Sequence, residues 1–124
     1  MDALRTLILA LVCALPLKAT AAEPLHMVFA GCLGRYSAEV EHHWLQNEDA
    51  TAAADHRLTF QSLYEATVPR DAARDALHHR IAAKMAQAAL LTTASFHHDP
   101  DRASTARSIA TAQISSCRRM LLES

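Results

Sequence analysis

Two apolar patterns divide this chain. The first is a continuous run from Leu7 to Leu17, preceded by Met1-Asp2-Ala3-Leu4-Arg5 and followed by Lys18 and the small-residue box Ala19-Thr20-Ala21. The second begins near residue 25. There the apolar positions recur three and four apart, the spacing of one face of an α-helix.

The second pattern predicts four helices. The first covers about 26–46, with Phe29, Cys32, Leu33, Tyr36, Val40, His43 and Trp44 on one stripe. Glu39 flanks that stripe, whereas Glu41 and His42 point away. Gly31 and Gly34 weaken its early turns or let another helix come close. The second helix covers 51–67. Asp49 or Thr51 caps its free amides, its stripe is Ala53, His56, Phe60, Leu63, Tyr64 and Thr67, and Val68-Pro69 ends it. The third covers 70–96, with Leu77, Ile81, Met85, Ala88, Thr92 and Phe96 as its inward side. The fourth covers 100–122. It opens on Asp99 as N-cap and Pro100 as first helical residue, and buries Ala103, Ala106, Ala110, Ile114, Cys117 and Leu121. Leu58, Leu90 and Ile109 fall off these stripes and would form a docking patch if they adjoin. Short connections favour antiparallel neighbours. The expected fold is therefore all-α, a small antiparallel four-helix bundle. Only two glycines and no β-branched runs agree with it.

The N-terminal pattern is that of a secretory signal peptide, cut after Ala21 or Ala22. Its apolar run is too short for the ~20 residues that span a bilayer. The expected organisation is residues 1–21 as signal peptide and residues 22–124 as a single helical domain, exported to the periplasm or beyond, with no transmembrane segment in the mature chain. Cys32, in "FAGCLGR", is separated from the apolar run by Lys18, Glu23, Pro24 and His26, which argues against a lipidation site. Cys32 and Cys117 remain after cleavage. An even cysteine count in an oxidising compartment points to a disulfide between them, over two free buried thiols or a lipidated Cys32. The bundle order supports this, because the start of the first helix and the end of the fourth meet at one level.

Charge and composition narrow the function. With Asp2, Arg5 and Lys18 removed, 12 acidic and 10 basic residues remain, a net −2 with histidines neutral. That is not a nucleic-acid surface. Nor is there a polybasic membrane signal. All eight histidines lie in the mature part, so full protonation would carry the net charge to +6, and a pH-responsive role is one reading of them. His43 and His56 fall on inward stripes, four residues from Glu39 in the first case. Glu39, His43 and His56 are thus the candidate ligands of a bundle metal site for Zn, Cu or Fe, one ligand short of a closed tetrahedral set. Hydrogen-bonded core-edge histidines are the alternative. Tyr36 and Trp44 could mark a pocket or partner surface, with core packing as the commoner explanation. The catalytic motifs H-E-x-x-H and G-x-S-x-G, a phosphate loop and the haem motif C-x-x-C-H are all missing.

The runs "CLGRYSAEVEHHWL" (Cys32 to Leu45) and "AKMAQAALLTTASFHHDP" (Ala83 to Pro100), with the late cysteine, resemble uncharacterised small secreted bacterial helical proteins with an early and a late Cys. The resemblance implies a periplasmic helical domain and transfers no activity, cofactor or catalytic residue. The functional expectation is a non-enzymatic binding or interaction protein of the bacterial envelope with no catalytic residue and no required cofactor. Its partner would be an envelope protein or a small ligand. The metal-binding bundle is the alternative.

Overall fold

The computed structural model describes residues 22–122, so the signal peptide expected over 1–21 lies outside the described residues. Four α-helices pack together: α1 (Leu25–Leu45), α2 (Thr51–Thr67), α3 (Ala73–Phe96) and α4 (Pro100–Leu122). There is no strand among the described residues. None of the helices is long and apolar enough to cross a membrane.

The ends of the helices follow their local chemistry. α1 stops in a Schellman turn: Asn47 takes the left-handed conformation (φ 57°), its N–H donates to the Trp44 carbonyl at 3.1 Å, and Glu48 N–H donates to the His43 carbonyl at 2.8 Å. Asparagine fills the position that glycine usually takes. Asp49 holds the start of α2, its carboxylate accepting from Thr51 N–H at 2.9 Å and from the Thr51 hydroxyl at 2.6 Å. These bonds hold the Asp49 carboxyl below its ordinary range. Val68, before Pro69, is extended and ends α2. The expected third helix opens as a 3₁₀ turn over Arg70–Ala72 before becoming α-helical at Ala73. Asp99 caps α4 through Asp101 N–H at 2.9 Å.

The middle of the molecule is α1, buried from Phe29 to Val40 apart from Arg35 and Glu39 at its edges. Its largest contact is with α3, and the two helices run in the same direction: Gly31 lies by His79, Glu39 bonds Gln87 and His42 bonds Ser95. α2 runs back along the other flank of α1, pairing Phe29 with Phe60 and Tyr36 with His56. α4 runs back along α3, with Arg107 donating to the Ala94 carbonyl at 2.9 Å. It reaches α1 near Cys32 and Cys117, whose sulfurs are at disulfide distance with the Cα atoms 5.6 Å apart. α2 makes no close backbone approach to α3 or α4 among the described residues. The neighbour order therefore differs from a square ring, since α1 packs on its parallel diagonal partner.

Small side chains explain that order. A Cβ on Gly34 would overlap the Arg80 carbonyl oxygen and sit 3.0 Å from the Lys84 amide nitrogen. Glycine lets the two backbones touch. The same closeness inverts the expected face of α3. Its buried residues are Ala76, Gln87 and Ala94, whereas Leu77, Ile81, Met85 and Phe96 are exposed. A groove of glycine and alanine on α1 has no room for branched side chains, so α3 turns its small residues inward. The stripes expected on α2 and α4 do face the core, with Phe60, Ala106, Ala110 and Cys117 buried.

Candidate functional site

Three of the four helices build a cleft of about 210 Å³ that collects the residues singled out from the sequence. α1 supplies the floor with Tyr36, Glu39 and His43, α2 one wall with His56, and α4 the other with Ile114 and Arg118. The inward stripes of α1 and α2 bring these groups together. Tyr36 stacks with two rings of α2, His56 at 5.0 Å and Phe60 at 5.7 Å between centroids. Its hydroxyl is buried without a hydrogen-bond partner among the described residues. Burial pushes the Tyr36 phenol above its ordinary pKa; Arg118 opposes the shift and Glu39 adds to it.

The three proposed metal ligands share this cleft but do not converge. Glu39 accepts a hydrogen bond from Gln87 at 2.8 Å, on the side of α3. Gln87 also donates to the Ala110 carbonyl at 3.2 Å, so this buried amide ties three helices together. His43 Nδ1 lies 2.9 Å from a Glu48 carboxylate oxygen, beyond the end of α1. His56 Nδ1–H donates to the Ala52 carbonyl of its own helix at 2.8 Å. No group of three His, Cys, Asp or Glu side chains among the described residues is placed to hold a metal ion. Trp44 does not line this cleft with Tyr36; it is 62% exposed near the end of α1. The adjacent His42 and His43 separate, as helical geometry demands: His42 bonds Ser95 at 2.9 Å while His43 turns to Glu48. His97 and His98, past the end of α3, stack instead, with ring centroids 4.6 Å apart.

A larger concavity lies between α3 and α4. This open groove of about 620 Å³ is walled by Ala89, Leu90 and Thr93 on one side and by Thr105 and Ile109 on the other. Asp101 and Arg102 stand at the end where α4 begins. Leu90 and Ile109, both off the stripes in the sequence, thus adjoin. Leu58 belongs to α2 and is not part of the groove. The rest of its lining is alanine and threonine, which carry no sequence signal for a binding site. What was available in the sequence was the pair of off-stripe apolar residues on consecutive helices.

No protein-family model matches the chain, and neither a curated protein nor a solved structure does so.

Proposed function

We propose that this chain is an exported, non-enzymatic binding protein of the bacterial envelope. In this reading the signal-peptide pattern of residues 1–21 directs it to the periplasm, and a Cys32–Cys117 disulfide closes the helical body there. The observation that carries the proposal is the groove between α3 and α4. Its volume falls within the range of small-molecule sites, which are mostly apolar with a few polar groups that orient the ligand. The occupant that fits is a small amphiphile, its apolar part along Ala89, Leu90 and Ile109 and its polar end beside Asp101 and Arg102. The Tyr36 cleft is a weaker candidate, because at about 210 Å³ it is much the smaller and Glu39, His43 and His56 are each hydrogen-bonded to another group.

Anilinonaphthalene sulfonate, an apolar fluorescent probe, tests this. The folded, oxidised protein should bind it saturably at one site. The variants Ala89→Glu and Thr105→Glu place a charge on exposed groove positions, and should weaken binding at least tenfold with unchanged circular dichroism. Probe binding that is absent, or that survives both variants, would overturn the groove as the site.

A further inference from the structure

A trough follows α1 where α2 and α4 stay apart. Among the described residues α2 makes no close backbone approach to α4, and the approach of α4 to α1 is narrow. Two hollows adjoin there, of about 210 and 270 Å³, and Glu39, Ile114 and Arg118 line both. The smaller holds Tyr36, and the larger adds the apolar Leu91, Ala94 and Ala110. Tyr36 is 3% exposed, and its hydroxyl is buried with no hydrogen-bond partner among the described residues. A buried hydroxyl left unpaired is costly, and a ligand atom that accepts from it removes that penalty. The groups around it carry opposite charges. Arg118 is exposed and makes no ion pair among the described residues. Glu39 accepts from Gln87 at 2.8 Å, but a neutral amide orients the carboxylate without cancelling its charge. Beyond the effect of burial, Arg118 and Glu39 act on the Tyr36 phenol in opposite directions, so its hydroxyl end lies near both.

We propose that this trough binds a free α-amino acid with a medium-sized aliphatic side chain, of which leucine is the type. Its carboxylate lies between the Arg118 guanidinium and the Tyr36 O–H, and its ammonium faces Glu39. Its side chain enters the larger hollow beside Leu91, Ala94 and Ala110. The chemistry of the trough selects this class. A guanidinium takes a carboxylate through two parallel hydrogen bonds, and the phenol supplies a third. Glu39 disfavours a simple anion such as phosphate, and Arg118 disfavours a simple cation, so a ligand carrying both charges fits best. Hollows of this size, below the usual range of drug-sized sites, suit a molecule as small as an amino acid. Arg118 is long, exposed and unpaired, so its side chain can shift to admit the ligand over the phenol. Cys32 lies one turn before Tyr36, and Cys117 is next to Arg118. The sulfur pair thus sets the spacing of the two carboxylate-binding groups. The trough shares no lining residue with the α3–α4 groove, so this site stands apart from the proposed amphiphile site and the two fail separately.

Isothermal titration calorimetry of the oxidised protein, freed of residues 1–21, with L-leucine is the test. Saturable binding at one site is expected. N-acetylleucine lacks the ammonium and leucinamide lacks the carboxylate, and each should bind about tenfold or more weakly than leucine. Arg118→Met, at an exposed position, should weaken leucine binding by about tenfold or more, and Tyr36→Phe by about fivefold. Both variants should keep the circular dichroism and the anilinonaphthalene sulfonate binding of the parent. Glu39→Gln is the second charge variant should Arg118→Met not fold; it should weaken leucine binding and leave that of N-acetylleucine unchanged or tighter. No binding at millimolar leucine, or N-acetylleucine and leucinamide binding as well as leucine, overturns the inference. So does leucine binding that survives both charge variants, or leucine that displaces the fluorescent probe from the α3–α4 groove.

Discussion

Tyr36 shows how one residue can be both core and candidate site. Its ring stacks with those of His56 and Phe60, and its hydroxyl has no hydrogen-bond partner among the described residues. A buried polar group left unpaired costs about 1–3 kcal/mol, so removing it is cheap or favourable. Tyr36→Phe should therefore leave stability unchanged or raise it by about 1 kcal/mol in urea unfolding. The pH dependence has a definite sign. The phenol is held above its ordinary pKa, chiefly by burial. The resulting stability is complete below about pH 10, where an unfolded tyrosine is still protonated, and is lost as pH rises through the raised folded-state value. Tyr36→Phe should remove that contribution to alkaline unfolding and leave the neutral-pH midpoint at or above that of the parent. At this scale the sequence was informative about location and not about engagement. Helical periodicity groups Glu39, His43 and His56 near one seam, and the three line one cleft, but their partners Gln87, Glu48 and the Ala52 carbonyl are set by loop, local-helix and neighbouring-helix geometry that periodicity does not encode.

At the scale of the helices, the two glycines of α1 separate packing from propensity. Both lie in the buried part of the helix, and replacing either with alanine should add about 1 kcal/mol of helix propensity. Gly31→Ala meets the tip of the His79 side chain at 3.1 Å, which can swing aside. This variant should be neutral or stabilising. Gly34→Ala drives a methyl group into the α3 backbone at Arg80 and Lys84, which can yield only if the helices separate. Overpacking of this kind typically costs about 1–3 kcal/mol and more where backbone opposes it. A net loss of about 2 kcal/mol or more is expected, visible as a lower thermal midpoint. Equal midpoints for the two variants would mean that α1 and α3 are not in backbone contact. The same contact explains which helix features were legible. Boundaries came through because proline, aspartate and asparagine act locally: α2 ends at Val68-Pro69 and α4 starts at Asp99-Pro100. The inward face of α3 did not, because size there outweighs hydrophobicity. The rule that the bulkiest stripe faces inward fails when the helix opposite presents glycine and alanine.

For the whole molecule, the feature that matters is how α4 is held. α4 packs along α3, but its approach to α1 is narrow and centred near Cys32 and Cys117. Met120 and Leu121, just beyond the second cysteine, lie against the cluster of Phe29, Leu33, Tyr36 and Phe60. The cysteine pair is therefore placed where the last turns of α4 meet α1 and this cluster. With the two positions 85 apart in the sequence, a bond there should lower the entropy of the unfolded chain enough to stabilise by about 4–5 kcal/mol. That is a large share of the ~5–15 kcal/mol typical of small domains. Much of the core is alanine, which buries little apolar area per residue, so hydrophobic stabilisation alone leaves less reserve. The double variant Cys32→Ala/Cys117→Ala should lose about 4 kcal/mol in denaturant unfolding. Hydrogen exchange should rise first in the last turns of α4, ahead of the α1–α3 contact, because those turns lose the sulfur link to α1 while the glycine-mediated packing is untouched. An unchanged unfolding midpoint after reduction, or exchange that rises first in α1, would show that α4 is held by its apolar contacts and that the cysteines are incidental to the fold.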